Sequence, residues 1–190
     1  MIPEGLGRVQ PLRLASRSPQ RRAILEMLGV AFEVVEPAYE ERELPGGPDD
    51  VVVAHARGKA ASVDGERVLG VDTIVFVAGR VLGKPASREQ ARDYLELLSG
   101  RTHAVHSGLC LRVGGVEHVR TAVTDVTFAS LEPADVDWYL ETGEWRERAG
   151  GYAVQGRGAA LVRSIAGDYQ NVVGLPVPAL IDAMAAAAIR

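Results

Sequence analysis

Short β-branched runs alternate with helical stretches along this chain, and the alternation predicts most of its elements. Residues 11–15 read as a strand. Ser18-Pro19 reads as an N-cap followed by proline in the first helical turn, and Gly29 stops the helix after Leu28. A second strand over 31–35 ends at Glu36-Pro37, because proline cannot donate to a ladder. An acidic stretch around Glu40 and Glu41 and a Pro/Gly loop follow. A helix is expected from Val51 to about Val63, capped by Asp49 or Asp50.

Arg67–Val77 is the most strand-like run in the chain, rich in β-branched residues. It turns at Ala78-Gly79-Arg80 and resumes at Val81-Leu82-Gly83, a tight hairpin. Ser87 caps a helix over 89–98, with Ala91, Tyr94, Leu95 and Leu98 at helical spacing, and Ser99-Gly100 closes it. Thr102–Val113 and Val116–Phe128 read as long strands joined at Gly114-Gly115. A short helix is expected from about Glu132 to Glu141, an irregular stretch over 143–151, and a glycine-rich loop or strand edge over 152–158. Residues 159–165 read as a strand and Gly167-Asp168 as a turn. Pro176 or Pro178 opens an alanine-rich helix to Arg190. Early βα units followed by long hairpins predict an α/β fold, a mixed sheet with helices on its faces.

Composition narrows the picture. The 190 residues suit one domain over 11–190 behind a loose leader at 1–10. A single cysteine, Cys110 between Leu109 and Leu111, excludes an internal disulfide and reads as core. A net charge of −4 argues against a broad nucleic-acid surface. No apolar run approaches the ~20 residues of a membrane span, and no secretory pattern opens the chain. Cytoplasmic residence is the expectation.

Some residues do not fit a purely structural reading. Asp72 stands among Val68, Leu69, Val71, Ile74 and Val75. A carboxylate there must be hydrogen-bonded, paired or bound to a cation, so it reads as satisfied by backbone N–H groups, as a metal ligand or as a general base. Lys84, between Gly83 and Pro85, is a solvated hairpin lysine, or a phosphate partner if the hairpin folds back beside Asp72. Lys59, on a helix of small residues, carries the same ambiguity. Ser16, Ser18 and three arginines crowd the first helix start, whose free N–H groups attract anions. Gln155-Gly156-Arg157-Gly158 lets backbone approach a ligand closely. His103 and His106 are three apart on a strand and point to opposite faces, which argues against a paired metal site. Together these features point to a small phosphorylated ligand and a divalent cation.

Six ordered motifs carry a resemblance. They are Leu14-Ala15-Ser16-Arg17-Ser18-Pro19 with Arg21, Gly70-Val71-Asp72-Thr73, Leu82-Gly83-Lys84-Pro85, Leu98-Ser99-Gly100-Arg101-Thr102-His103, the stretch from Ala149 to Gly158, and Gly167-Asp168-Tyr169-Gln170-Asn171-Val172-Val173-Gly174-Leu175-Pro176. From about Leu12 to the last helix the chain resembles the Maf family of nucleoside triphosphate pyrophosphatases, which are linked to septum formation. The resemblance implies an α/β fold with a central mixed, twisted sheet and a deep cleft, similar to the inosine-triphosphatase folds. It implies cleavage between the α- and β-phosphates, a divalent cation (Mg²⁺ or Mn²⁺), and a possible homodimer. The family's proton acceptor falls on Asp72, its helix-start residues on Ser16, Ser18 and Arg21, its lysines on Lys59 and Lys84, its acid after the second strand on Glu41, and its loop glutamine on Gln155. Ser18, Arg21, Lys59 and Lys84 would hold phosphate oxygens, with Glu41 and Asp72 on the cation.

Two branches of the family differ at three positions. Thr73 and Gln155 resemble the branch acting on dTTP and UTP rather than the one acting on 7-methyl-GTP, whereas Gln20 departs from both. The rival expectations are a nucleotide-binding regulator of cell division without turnover, and a purine pyrophosphatase acting on ITP or XTP.

Overall fold

The computed structural model describes residues 11–189. Among them seven strands are present: β1 (Leu12–Ala15), β2 (Phe32–Val35), β3 (Arg67–Val77), β4 (Arg80–Leu82), β5 (Thr102–Val113), β6 (Val116–Phe128) and β7 (Val162–Ala166). They form one sheet in the order β2-β1-β3-β5-β6-β7, with β4 beside β3. The sheet is mixed, as expected. β1 pairs in parallel with β2 and β3, because chain must cross over between them, whereas β4 runs antiparallel to β3 and β7 antiparallel to β6. The β3–β4 turn has positive φ at both central residues, Ala78 at 48° and Gly79 at 77°, the geometry that matches strand twist. Six α-helices among the described residues accompany the sheet: α1 (Pro19–Met27), α2 (Pro48–Ala61), α3 (Arg88–Leu98), α4 (Pro133–Glu141), α5 (Tyr169–Val173) and α6 (Val177–Ala186). Among the described residues no helix is long and apolar enough to cross a membrane.

The chain divides into two compact units. The first holds the described chain up to Asp72, Ser107–Ala122 and the described chain from Gly174 on; the second holds Thr73–His106 and Val123–Val173. In the first unit a cluster of small side chains, Ala15, Ala56, Ala60, Val63, Val68 and Cys110, lets α2 lie close on the strands. Two glycines set how close. A Cβ on Gly70 would stand 2.1 Å from the Ala56 carbonyl oxygen, and one on Gly108 2.5 Å from the Val52 carbonyl oxygen. Only a residue without a side chain fits either position. The second unit is packed by larger side chains, Leu95, Leu98, Phe128, Tyr139, Tyr152 and Leu161 among them.

Four local expectations are corrected. α2 begins at Pro48, with Gly47 as N-cap; Asp50 acts from the third helical position, its Oδ2 accepting the Gly47 N–H at 3.0 Å. Residues 159–161 are not strand. Gly156–Leu161 wraps into a 3-10 helix and β7 starts only at Val162. The cause is close packing: a Cβ on Gly158 would meet the Ala153 carbonyl oxygen at 2.1 Å, and the Glu144 carboxylate takes the N–H groups of Arg157 and Gly158. The turn at Gly167-Asp168 leads into α5, because Asp168 Oδ1 accepts the Gln170 N–H at 2.8 Å and so starts a helical turn. The last helix ends at Ala186, before Ala188 turns to φ 51°. The expected leader at 1–10 and Arg190 lie outside the described residues.

Candidate active site

The first helix start is built as a hydrogen-bonded knot inside the first unit. Ser18 caps α1, its Oγ accepting the Arg21 N–H at 3.4 Å, and its hydroxyl donates to Gln20 Oε1 at 3.1 Å. Ser16 Oγ accepts both the Ser18 N–H (3.1 Å) and an Nη1–H of Arg21 (3.2 Å). Arg21 Nε donates to the Gly174 carbonyl at 2.8 Å. Of the three arginines in this turn only Arg21 faces inward. Arg17 and Arg22 stand in solvent, paired with Glu36 and Glu26. Burial lowers the pKa of Arg21, and the charges of Asp72 and Glu41 oppose that shift. The guanidinium therefore shares its surroundings with both acids.

Those acids meet on one ammonium. Lys59 projects from α2, and its Nζ lies 2.6 Å from Asp72 Oδ1, 2.5 Å from Glu41 Oε1 and 3.4 Å from the Val71 carbonyl oxygen. Lys59 and Asp72 are buried at 8% and 6% side-chain exposure, while Glu41 is half exposed at 50%. The close seating of α2 on Gly70 brings Lys59 over the strand residue two places on, Asp72. Each of the three ammonium protons has an acceptor, so a phosphate oxygen reaching Lys59 must displace one.

Two carboxylates converging on one point are the hard oxygen donors that Mg²⁺ or Mn²⁺ takes when substrate phosphates and waters complete its shell. Among the described residues no group of three or more His, Cys, Asp or Glu forms a cage by itself. Glu41 and Asp72 are the residues here that could hold such a cation.

Thr73, Lys84 and Gln155 belong to the second unit. Lys84 is exposed, with Nζ 3.0 Å from Glu147 Oε2. Gln155 is exposed at the head of the 3-10 turn. That turn is held by Glu144, whose carboxylate accepts the Arg157 N–H at 3.0 and 3.2 Å and the Gly158 N–H at 3.3 Å. Tyr139 supports the same loop, its hydroxyl accepting the Ala153 N–H at 2.9 Å. His103 is a core residue, its Nε2 2.8 Å from the Tyr152 hydroxyl, and His106 packs edge-on against Phe76. Glu144 and Tyr139 carry no signal in the sequence, because their partners are backbone groups 13 or 14 residues away along a chain that must first fold. The nearest hint is the run of glycines they brace.

Comparison with known proteins places these residues in context. The family model described as "Maf-like protein" matches residues 11–187. The chain is 48% identical over 171 residues to the dTTP/UTP pyrophosphatase of Anaeromyxobacter dehalogenans strain 2CP-C, covering 87% of this chain and 88% of that one. It is 47% identical over 169 residues to the dTTP/UTP pyrophosphatase of Thermus thermophilus, covering 88% and 89%. It is 42% identical over 177 residues to a nucleoside triphosphate pyrophosphatase of Anaplasma marginale strain Florida, covering 90% of each.

Proposed function

The chain belongs to the Maf family, and from that membership we propose that it hydrolyses nucleoside triphosphates between the α- and β-phosphates, releasing the monophosphate and pyrophosphate. The observation that carries the reading is the buried Lys59–Asp72 pair with Glu41 against it. A buried ion pair contributes little net stability, and apolar residues of the same volume would serve the fold as well or better. Charged side chains gathered in one place, with Lys59 and Asp72 both buried, are the mark of a chemical site.

In this reading water attacks the α-phosphorus while the bond from that atom to the bridging oxygen breaks, and the electron pair leaves with pyrophosphate. Asp72 takes the proton from the water. Arg21 and Lys59 supply fixed positive charge to the phosphates, and Ser16 and Ser18 present hydroxyls beside Arg21. Glu41 and Asp72 would hold Mg²⁺ or Mn²⁺, which neutralises charge on the phosphates when bound. Lys84 is assigned to phosphate, and Thr73, Gln155 and Gln20 to nucleobase choice, on the family motif. Thr73 and Gln155 and the names of the relatives support dTTP and UTP as substrates. Such an enzyme works in the cytoplasm, where these nucleotides are.

The test is a panel of dTTP, UTP, ATP, GTP, ITP and XTP with Mg²⁺ or Mn²⁺, reading pyrophosphate against orthophosphate. Pyrophosphate should be the product, fastest from dTTP and UTP. Asp72→Asn keeps an acceptor for Lys59 and should lose about 10²–10⁴-fold in kcat, the range of a general base. Orthophosphate as product, tight nucleotide binding without turnover, or a mutant within a few-fold of the parent would each sink the reading.

A further inference from the structure

Glu41 lies in the stretch 36–44, which has no regular secondary structure, yet it must reach a buried lysine. Tyr39 supplies the anchor. Its ring lies on α2 at Gly58, where a Cβ would stand 2.2 Å from Tyr39 Cε2 and 2.5 Å from Cζ. Its hydroxyl is 3.0 Å from Nδ1 of the buried His55, and the two rings meet edge-on with centroids 5.8 Å apart. His55 and Lys59 are four apart on α2 and share a face. From His55 to Lys59 the helix advances about 6 Å. From Tyr39 to Glu41 the chain reaches at most about 7 Å. With Tyr39 seated on His55, the two-residue step to Glu41 matches the one-turn step from His55 to Lys59.

We propose that Tyr39, seated in the notch at Gly58 and tied to His55, is a positioning residue that sets the register in which Glu41 meets Lys59 and Asp72. The proposal rests on the reading of Glu41 as a cation ligand given above. It also explains a glycine inside a helix, where the residue is otherwise unfavourable. A side chain at position 58 would fill the notch that the Tyr39 ring occupies.

The test uses Tyr39→Ala and Gly58→Ala in the full chain. Gly58→Ala is the stricter of the two, since alanine favours the helix while its methyl displaces the ring. Two quantities are read: hydrogen exchange of amides 38–43, and Mn²⁺ affinity by electron paramagnetic resonance with an α,β-methylene triphosphate analogue bound. Both variants should speed exchange over 38–43 and weaken Mn²⁺ roughly tenfold or more, as loss of an outer-shell support does. The cation concentration for half-maximal activity should move more than kcat. Tyr39→Ala combined with Glu41→Gln should bind Mn²⁺ no more weakly than Glu41→Gln alone, because both changes remove one contact. Unchanged exchange and affinity in both variants, or losses that add, overturn the proposal. If Glu41→Gln leaves Mn²⁺ binding intact, the cation role of Glu41 falls instead. Exchange then decides alone: faster exchange keeps Tyr39 as the register of Glu41 on Lys59, and unchanged exchange removes it.

Discussion

His103 is a titratable group enclosed by apolar neighbours. It packs edge-on to Phe128 and Tyr152, and burial pushes its pKa from 6.5 down to about 4. The unfolded chain therefore takes up a proton near pH 6.5 that the folded chain refuses until about pH 4. The unfolded state binds more protons inside that window, so stability rises with pH across it. The cost is absent above about pH 6.5, grows as pH falls, and levels off below about pH 4. Denaturant midpoints measured from pH 4 to 7 should show this limb, and His103→Gln should flatten it. A limb of equal slope in the mutant would place the proton uptake elsewhere. Sequence makes part of the site legible at this scale. Asp72 announces itself, since a lone charge among Val68, Leu69, Val71 and Ile74 needs a partner. Which partner is not legible. Lys59 and Glu41 lie 13 and 31 positions away, and only the seating of α2 chooses them. The link from Tyr39 to His55 and Gly58 is hidden for the same reason, although a glycine within a helical pattern is itself a hint of close approach.

At the scale of elements, the spacing between α2 and the strands positions Lys59 against Asp72. Gly70→Ala places a methyl 2.1 Å from the Ala56 carbonyl oxygen, and backbone cannot turn aside as a side chain can. Overpacking of this kind costs roughly 1–3 kcal/mol or more. The urea midpoint should fall accordingly, and activity should fall further than stability accounts for, because Lys59 moves with the helix. A mutant as stable and active as the parent would show that α2 tolerates a wider seat. Elements with a strong period are legible: β3, β5 and β6 follow from β-branched runs punctuated by Ala78-Gly79 and Gly114-Gly115. The 3-10 turn over Gly156–Leu161 is not, because Ala159, Ala160 and Leu161 have no strong preference and tertiary contacts from Ala153 and Glu144 decide their course.

For the whole molecule, β3, β5 and β6 each contribute residues to both compact units. Continuous strands cannot melt in one half without disturbing the ladder in the other, which predicts a single cooperative transition. The chain carries its own reporters. Trp138 and Trp145, its two tryptophans, stand in the second unit, and its one cysteine, Cys110, in the first. Cys110 is fully buried, and burial pushes its thiol up to about 11. The folded protein should resist alkylation at neutral pH, and labelling should rise with urea along the same curve as tryptophan fluorescence. Two separated curves would show that the units melt independently. On the proposed function, the arrangement around Lys59 also bears on how a triphosphate is held. Arg21 and Lys59 carry two formal positive charges, Glu41 and Asp72 two negative. From a distance the quartet is electrically balanced, and balanced groups exert little pull on a ligand still in solution. A triphosphate would therefore not be drawn to this quartet from afar. It would be held at contact, its own oxygens exchanged for acceptors already in place, so its retention here would rest on the quality of that exchange rather than on the strength of the attraction.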